Sequence, residues 1–187
     1  MAEANDRIGD GLSELLALIK HLRDDLGFAE QDLQQEDTQH RRRAFTRTLI
    51  AYVEAQTHAL KGLAILMHEG NPLTFTRAEL AMLYEEQYFL KENGGAVQKQ
   101  RLMRLPENVR FSFEVHAKAF QSDFALDTSS AGWESLRSAI KIRNRITHPK
   151  SSADVEISDN DINCLRKAKD WYSYSAIEAL LAANKPR

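Results

Sequence analysis

The chain has 187 residues, of which 43% are hydrophobic and 28% charged, with a formal net charge of −2. That balance fits one globular domain over residues 1–187 and excludes a disordered chain or one that coats nucleic acid through bulk charge. The lone Cys164 excludes a disulfide scaffold and suits a reducing compartment. The polar start from Met1 to Asp10 and apolar runs no longer than Leu63-Ala64-Ile65-Leu66-Met67 predict neither a signal peptide nor a membrane span, hence a soluble, cytoplasmic protein.

Helical periodicity recurs along the chain, while strand signals are nearly absent: no sustained alternation, and no Asn-Gly or Asp-Gly turn between β-branched runs. A first helix is expected from Asp10 to Leu26, with Leu12, Leu15, Leu16, Ile19 and Leu22 as its apolar stripe and Gly27 as its stop. The polar stretch Phe28 to Asp37 is open to either a loop or an extension of a neighbouring helix. Thr38 to Glu69 forms the longest helix, carried by Phe45, Leu49, Tyr52, Val53, Leu60, Leu63, Leu66 and Met67 and ended by Gly70 and Pro72.

Thr76-Arg77-Ala78-Glu79 reads as a capping box, in which the hydroxyl and the carboxylate satisfy free N–H groups at a helix start. That helix is expected to carry Leu80, Leu83, Tyr84, Tyr88 and Leu90 and to stop near Gly94-Gly95. Pro106 suits the first turn of a fourth helix with Phe111, Val115, Ala119 and Phe120 buried. A loop from Ser122 to Ser130 leads into a fifth helix, Gly132 to His148, stopped by Pro149. Ser158-Asn160-Asp161 opens a last helix to about Ala183, with Ile162, Leu165, Trp171, Ile177 and Leu180 inward. There is no internal repeat. The fold predicted is an all-α, up-and-down bundle of five to six helices with the long second helix as spine.

Charge is unevenly spread. Arg137, Lys141, Arg143, Arg145 and Lys150 lie in a window without an acidic residue, and Asp24, Asp25, Glu30, Asp32, Glu36 and Asp37 lie in one without Lys or Arg. Within the basic window stands Arg143-Asn144-Arg145-Ile146-Thr147-His148. An Arg followed four to six residues later by His arises by chance about 1.4 times in a chain with 15 Arg and 6 His; Arg110 and His116 also satisfy it. Requiring Asn after the Arg at this one spacing lowers the expectation to roughly 2%. Position separates the two as well. Arg110 precedes Phe111 and His116 sits mid-helix, whereas Arg143 to His148 occupies a last turn before Pro149.

The residue chemistry is coherent. At about 100° per residue, Asn144 and His148 are one turn apart on one face, with Arg143 beside them. Arg offers a planar fork for phosphate oxygens, His exchanges a proton near neutral pH, and Asn orients either without titrating. In this the segment resembles the Arg-Asn-x-x-x-His active-site motif of the HEPN superfamily. The resemblance implies a helical bundle that dimerises, bringing two copies of Arg143, Asn144 and His148 into one composite RNA-binding cleft. The reaction implied is metal-independent cleavage through a 2′,3′-cyclic phosphate, with His148 as general base or acid, Arg143 stabilising charge, and Asn144 orienting one of them. Arg137, Lys141, Arg145 and Lys150 would give the RNA strand its electrostatic footing. HEPN proteins are frequent as toxins and phage-defence effectors, so a cognate antitoxin or partner protein is expected. Lys150 stands where some HEPN toxins carry a Tyr, which argues against an antitoxin that modifies that Tyr. The family also includes members that bind RNA, nucleotides or partners without cutting.

Other signals are weaker. His40, Arg41, Arg42, Arg43 and Arg47 make a basic start to the long helix, with 40, 43 and 47 on one face; this reads as a solvated face or a phosphate contact. No Glu-x-x-His pair supports a di-metal bundle, since Glu114 precedes His116 by two and Glu54 precedes His58 by four. His68-Glu69-Gly70-Asn71 fails the zinc-protease pattern. No metal and no cofactor is expected, and Cys164 reads as structural.

Overall fold

The computed structural model describes the backbone of residues 2–70 and 74–184 and the side chains of residues 13–69 and 74–184; the Leu12 side chain and Pro72 lie outside what is described. Six helices and one small hairpin make up the fold: α1 (Ala2–Gln35), α2 (Gln39–Gly70), α3 (Arg77–Leu83), β1 (Glu86–Leu90), β2 (Ala96–Gln100), α4 (Leu105–Ala119), α5 (Ala131–Thr147) and α6 (Asp159–Ala183). A 3-10 turn, Ser152–Val155, lies between the last two helices.

α1 runs through Gly27 and on to Gln35, so the expected stop is overridden. Leu26 and Leu33, seven residues apart, are both buried, with Ala29 packed against the same core. Each such leucine stabilises by about 2 kcal/mol, more than the roughly 1 kcal/mol a helical glycine costs. Leu15, Ile19 and Leu22 lie on this stripe partly buried, but Leu16 is exposed on the other side. Thr38 begins the return, its hydroxyl accepting from the Arg41 N–H, and α2 packs back along α1.

The second helix is the spine as expected, packing against α1, α4, α5 and α6, but its 32 residues fall short of the 34 of α1, so it is not the longest. Phe45, Leu49 and Val53 of α2 meet Val109 and Phe113 of α4, Trp133 and Leu136 of α5, and Leu165 and Tyr172 of α6. Tyr172 is fully buried; its hydroxyl lies 2.9 Å from Thr57 Oγ1 and donates to the Val53 carbonyl, tying α6 to α2 through the core. On α4 the buried face is Val109, Phe113, Val115, His116 and Ala119; Phe111 and Phe120, expected inside, are only partly covered. On α6, Ile162 and Leu165 are inward as expected and Trp171 partly so, but Ile177 and Leu180 are exposed. Tyr172, Ala176 and Ala179 fill those turns instead.

The expected third helix is corrected most. Its capping box forms, Thr76 N–H to Glu79 Oε2 at 2.6 Å and Glu79 N–H to Thr76 Oγ1 at 3.2 Å, but the helix ends at Leu83. Glu85 turns to φ 55° and its carboxylate receives the buried ammonium of Lys61 at 2.7 Å. The chain then makes an antiparallel hairpin pairing Glu86 with Gln100 through Leu90 with Ala96. Gly94, at φ 80°, allows the reversal, and the Lys91 N–H bonds the Gly95 carbonyl across it. Tyr88 and Leu90 are therefore exposed strand residues, not a helical face.

Candidate active site

The end of α5 is built by local chemistry. Ser130 caps its start, accepting from the Trp133 N–H, and Pro149 forbids its continuation. His148 leaves the helix at φ −124° and ψ 59° while its N–H still reaches the Asn144 carbonyl at 3.0 Å. Thr147 Oγ1 donates to the Arg143 carbonyl at 2.7 Å. The next turn is pinned by Asp154, whose Oδ2 accepts from the Lys150 and Ser151 N–H groups at 2.8 and 2.9 Å. The Lys150 N–H and the Ser151 hydroxyl hold that carboxyl below the usual range. Arg145 completes the frame by donating to the Glu156 carbonyl at 2.9 Å and to Asp161 Oδ2 at 3.0 Å. Asp161 is itself the capping carboxylate of α6. A rigid corner results, with His148 at its tip.

Within the motif the three side chains are placed differently. Arg143 faces α2, where its Nη2 meets Glu54 Oε1 at 2.5 Å; the Arg143 side chain is 25% exposed, and its Nε is enclosed without a hydrogen bond. Asn144 and His148 are exposed. Among the described residues, no hydrogen bond or ion pair joins the side chains of Arg143, Asn144 and His148 to one another. Asn144 lies about 100° around the helix from Arg143, and exposed Thr147 falls between them.

The four flanking cations also divide. Arg137, Lys141 and Asn144 share an outer face of α5 within about 60°. Arg137 pairs with Glu134 one turn back at 3.0 Å, whereas Lys141 and Lys150 are exposed, their ammonium groups without a partner among the described residues. Arg145 is committed to the frame and is less available to RNA than the sequence suggests. The rival pair is excluded by burial: His116 is fully buried, and Arg110 stacks on the Trp133 ring, 4.7 Å from its centroid.

Comparison of the chain with protein-family models, curated proteins and solved structures finds no match. The HEPN resemblance thus rests on the motif residues and on the helical frame that carries them.

One residue beside the motif was not legible in the sequence. Glu54, the anchor of Arg143, was weighed only against a metal pattern and offers no local signal for pairing 89 positions away. The basic start of α2 was visible, but its use was not. Arg41 bonds the Asp32 carbonyl and pairs with Glu36, Arg42 binds Asp37, Asp159 and the Ile157 carbonyl, and Arg43 donates to the Val155 carbonyl at 3.1 Å. These arginines staple chain ends together, while Arg47 stays exposed without a partner among the described residues. No group of three or more His, Cys, Asp or Glu side chains among those residues stands ready to hold a metal ion. None of the described helices is long and apolar enough to cross a membrane.

Proposed function

We propose that the chain is a cytoplasmic, metal-independent endoribonuclease that acts as a homodimer, with Arg143, Asn144 and His148 of two copies facing one RNA strand. The observation that carries this reading is His148: an exposed imidazole at the helix end set by Pro149, one turn past Asn144, on the same helix whose Arg143 is anchored to Glu54 of α2. Histidine is the side chain suited to take and return a proton near neutral pH, and positioned proton transfer is worth about 10²–10⁴ in rate.

In the reaction, one His148 takes the proton of a ribose 2′-hydroxyl and O2′ attacks the adjacent phosphorus. The bond from phosphorus to O5′ breaks, and the other copy of His148 supplies the proton that O5′ takes up. The products are a 2′,3′-cyclic phosphate and a 5′-hydroxyl, with no redox change and no water consumed. Arg143 stabilises the charge that builds on the phosphoryl oxygens, and Asn144 orients the imidazole or the phosphate. An activity of this kind suits a toxin or phage-defence effector held in check by a partner protein.

Labelled single-stranded RNA incubated with the parent protein in EDTA tests this. Cleavage with cyclic phosphate ends, reduced at least about 10²-fold in His148→Ala and Arg143→Ala, is the expected result. Intact RNA with a dimeric parent would sink the enzyme, and cleavage unchanged from the parent in both variants would sink the site. The Glu54–Arg143 pair favours one second reading, a non-catalytic module binding RNA, a nucleotide or a protein, because a neutralised guanidinium has less charge to offer a transition state. RNA binding without cleavage would select it.

A further inference from the structure

Two contacts fix how the end of α5 and the turn after it lie along α2. Arg143 meets Glu54, and Arg43 donates to the Val155 carbonyl. Advancing from 143 to 155 in one segment therefore means receding from 54 to 43 in the other, so residues 144–154 lie opposite residues 44–53. Along the α2 axis, Arg47 is about 10 Å from Glu54 and about 6 Å from Arg43. The three fall within about 40° around the helix, so Arg47 projects from the face that bears both ties. On the opposite segment, inside the same bracket, His148 and Lys150 are exposed.

The bracket has little negative charge left to satisfy a cation. Residues 44–53 contain no acid, and residues 144–154 contain only Asp154, which is occupied by the N–H groups of Lys150 and Ser151. Glu54, just outside, is occupied by Arg143. Arg41, Arg42 and Arg43 are spent on carbonyls and carboxylates; Arg47 has no such partner among the described residues.

We propose that Arg47 binds an RNA phosphate neighbouring the one at His148, so that α2 forms the second wall of the site. This rests on the ribonuclease reading and extends it to the strand's path. A guanidinium fork suits a phosphodiester oxygen pair, and backbone contacts of this kind set register without reading bases.

Fluorescence anisotropy with a single-stranded RNA blocked by 2′-O-methyl groups, titrated at several salt concentrations, provides the test. Arg47→Ala should weaken binding about three- to tenfold and lower the slope of log affinity against log salt by about 0.7, the share of one single-strand phosphate. Arg47→Lys should keep most of the slope, and Arg77→Ala on α3 should change nothing. On unblocked RNA, Arg47→Ala should raise KM more than it lowers kcat. Unchanged affinity and slope in Arg47→Ala, with a parent that binds and cuts RNA, would overturn the Arg47 assignment alone. A parent that fails to bind RNA would overturn both this inference and the reading beneath it.

Discussion

His116 stores a pH dependence of folding that one substitution should remove. Its ring is fully buried on α4, 4.6 Å from the Phe120 ring, and neither nitrogen finds a hydrogen-bond partner. Burial pushes the imidazole down from 6.5 to about 4. Below pH about 6.5 the unfolded chain takes a proton that the folded chain refuses. Stability therefore falls as pH drops from about 6.5 to about 4 and is insensitive to this group outside that window. At pH 5 the unfolded state is favoured about 30-fold by this one group, or about 2 kcal/mol. His116→Leu keeps the site apolar and removes the titration. Urea denaturation followed by circular dichroism at pH 7.5 and pH 5 should show the variant gaining about 2 kcal/mol on the parent between the two. The offset at pH 7.5 reports repacking and the loss of two unbonded nitrogens; the change with pH isolates the proton. A parent-to-variant difference constant to within about 0.5 kcal/mol would refute the reasoning, as would a His116 imidazole that titrates near 6.5 by NMR.

Other substitutions probe the site and the frame. Glu54→Gln frees Arg143 of a counter-charge while loosening its orientation, so RNA should bind more tightly as kcat falls; parallel losses in binding and kcat would contradict this. Gly132→Ala adds a Cβ 2.2 Å from Trp171 Cγ and Cδ1 and should destabilise by about 1–3 kcal/mol in urea titration despite the better helix propensity. A stabilised variant would show that Trp171 yields freely. Glu85→Ala leaves the ammonium of Lys61, 3% exposed, without its carboxylate and should cost about 3 kcal/mol, read from the thermal midpoint; an unchanged midpoint would mean that Lys61 reaches water.

Much of the frame was legible because its signals are local. The Thr76–Glu79 box, Pro106 in a first turn, the Ser158–Asp161 cap and the stop at Pro149 each act within a few residues, and each formed where its residue types stand. The errors fall where distant partners outvote local preference. Gly27 stays helical because Leu26 and Leu33 find a core. Ile177 and Leu180 match the helical period but point away from it. Residues 86–100 became a hairpin, a change tied to Glu85, which leaves the helix to meet Lys61, 24 residues earlier.

The same division holds for the candidate site. The sequence alone determined which groups stand at the end of α5, because the Arg143-to-His148 spacing and Pro149 are covalent facts. Tertiary structure decided what those groups face: Glu54 beside Arg143, Arg145 diverted into the frame, and Arg47 exposed without a partner among the described residues. Pairings across 16 to 89 positions depend on which helices pack together, and that is set by the shared burial of apolar faces rather than by any local pattern of charge.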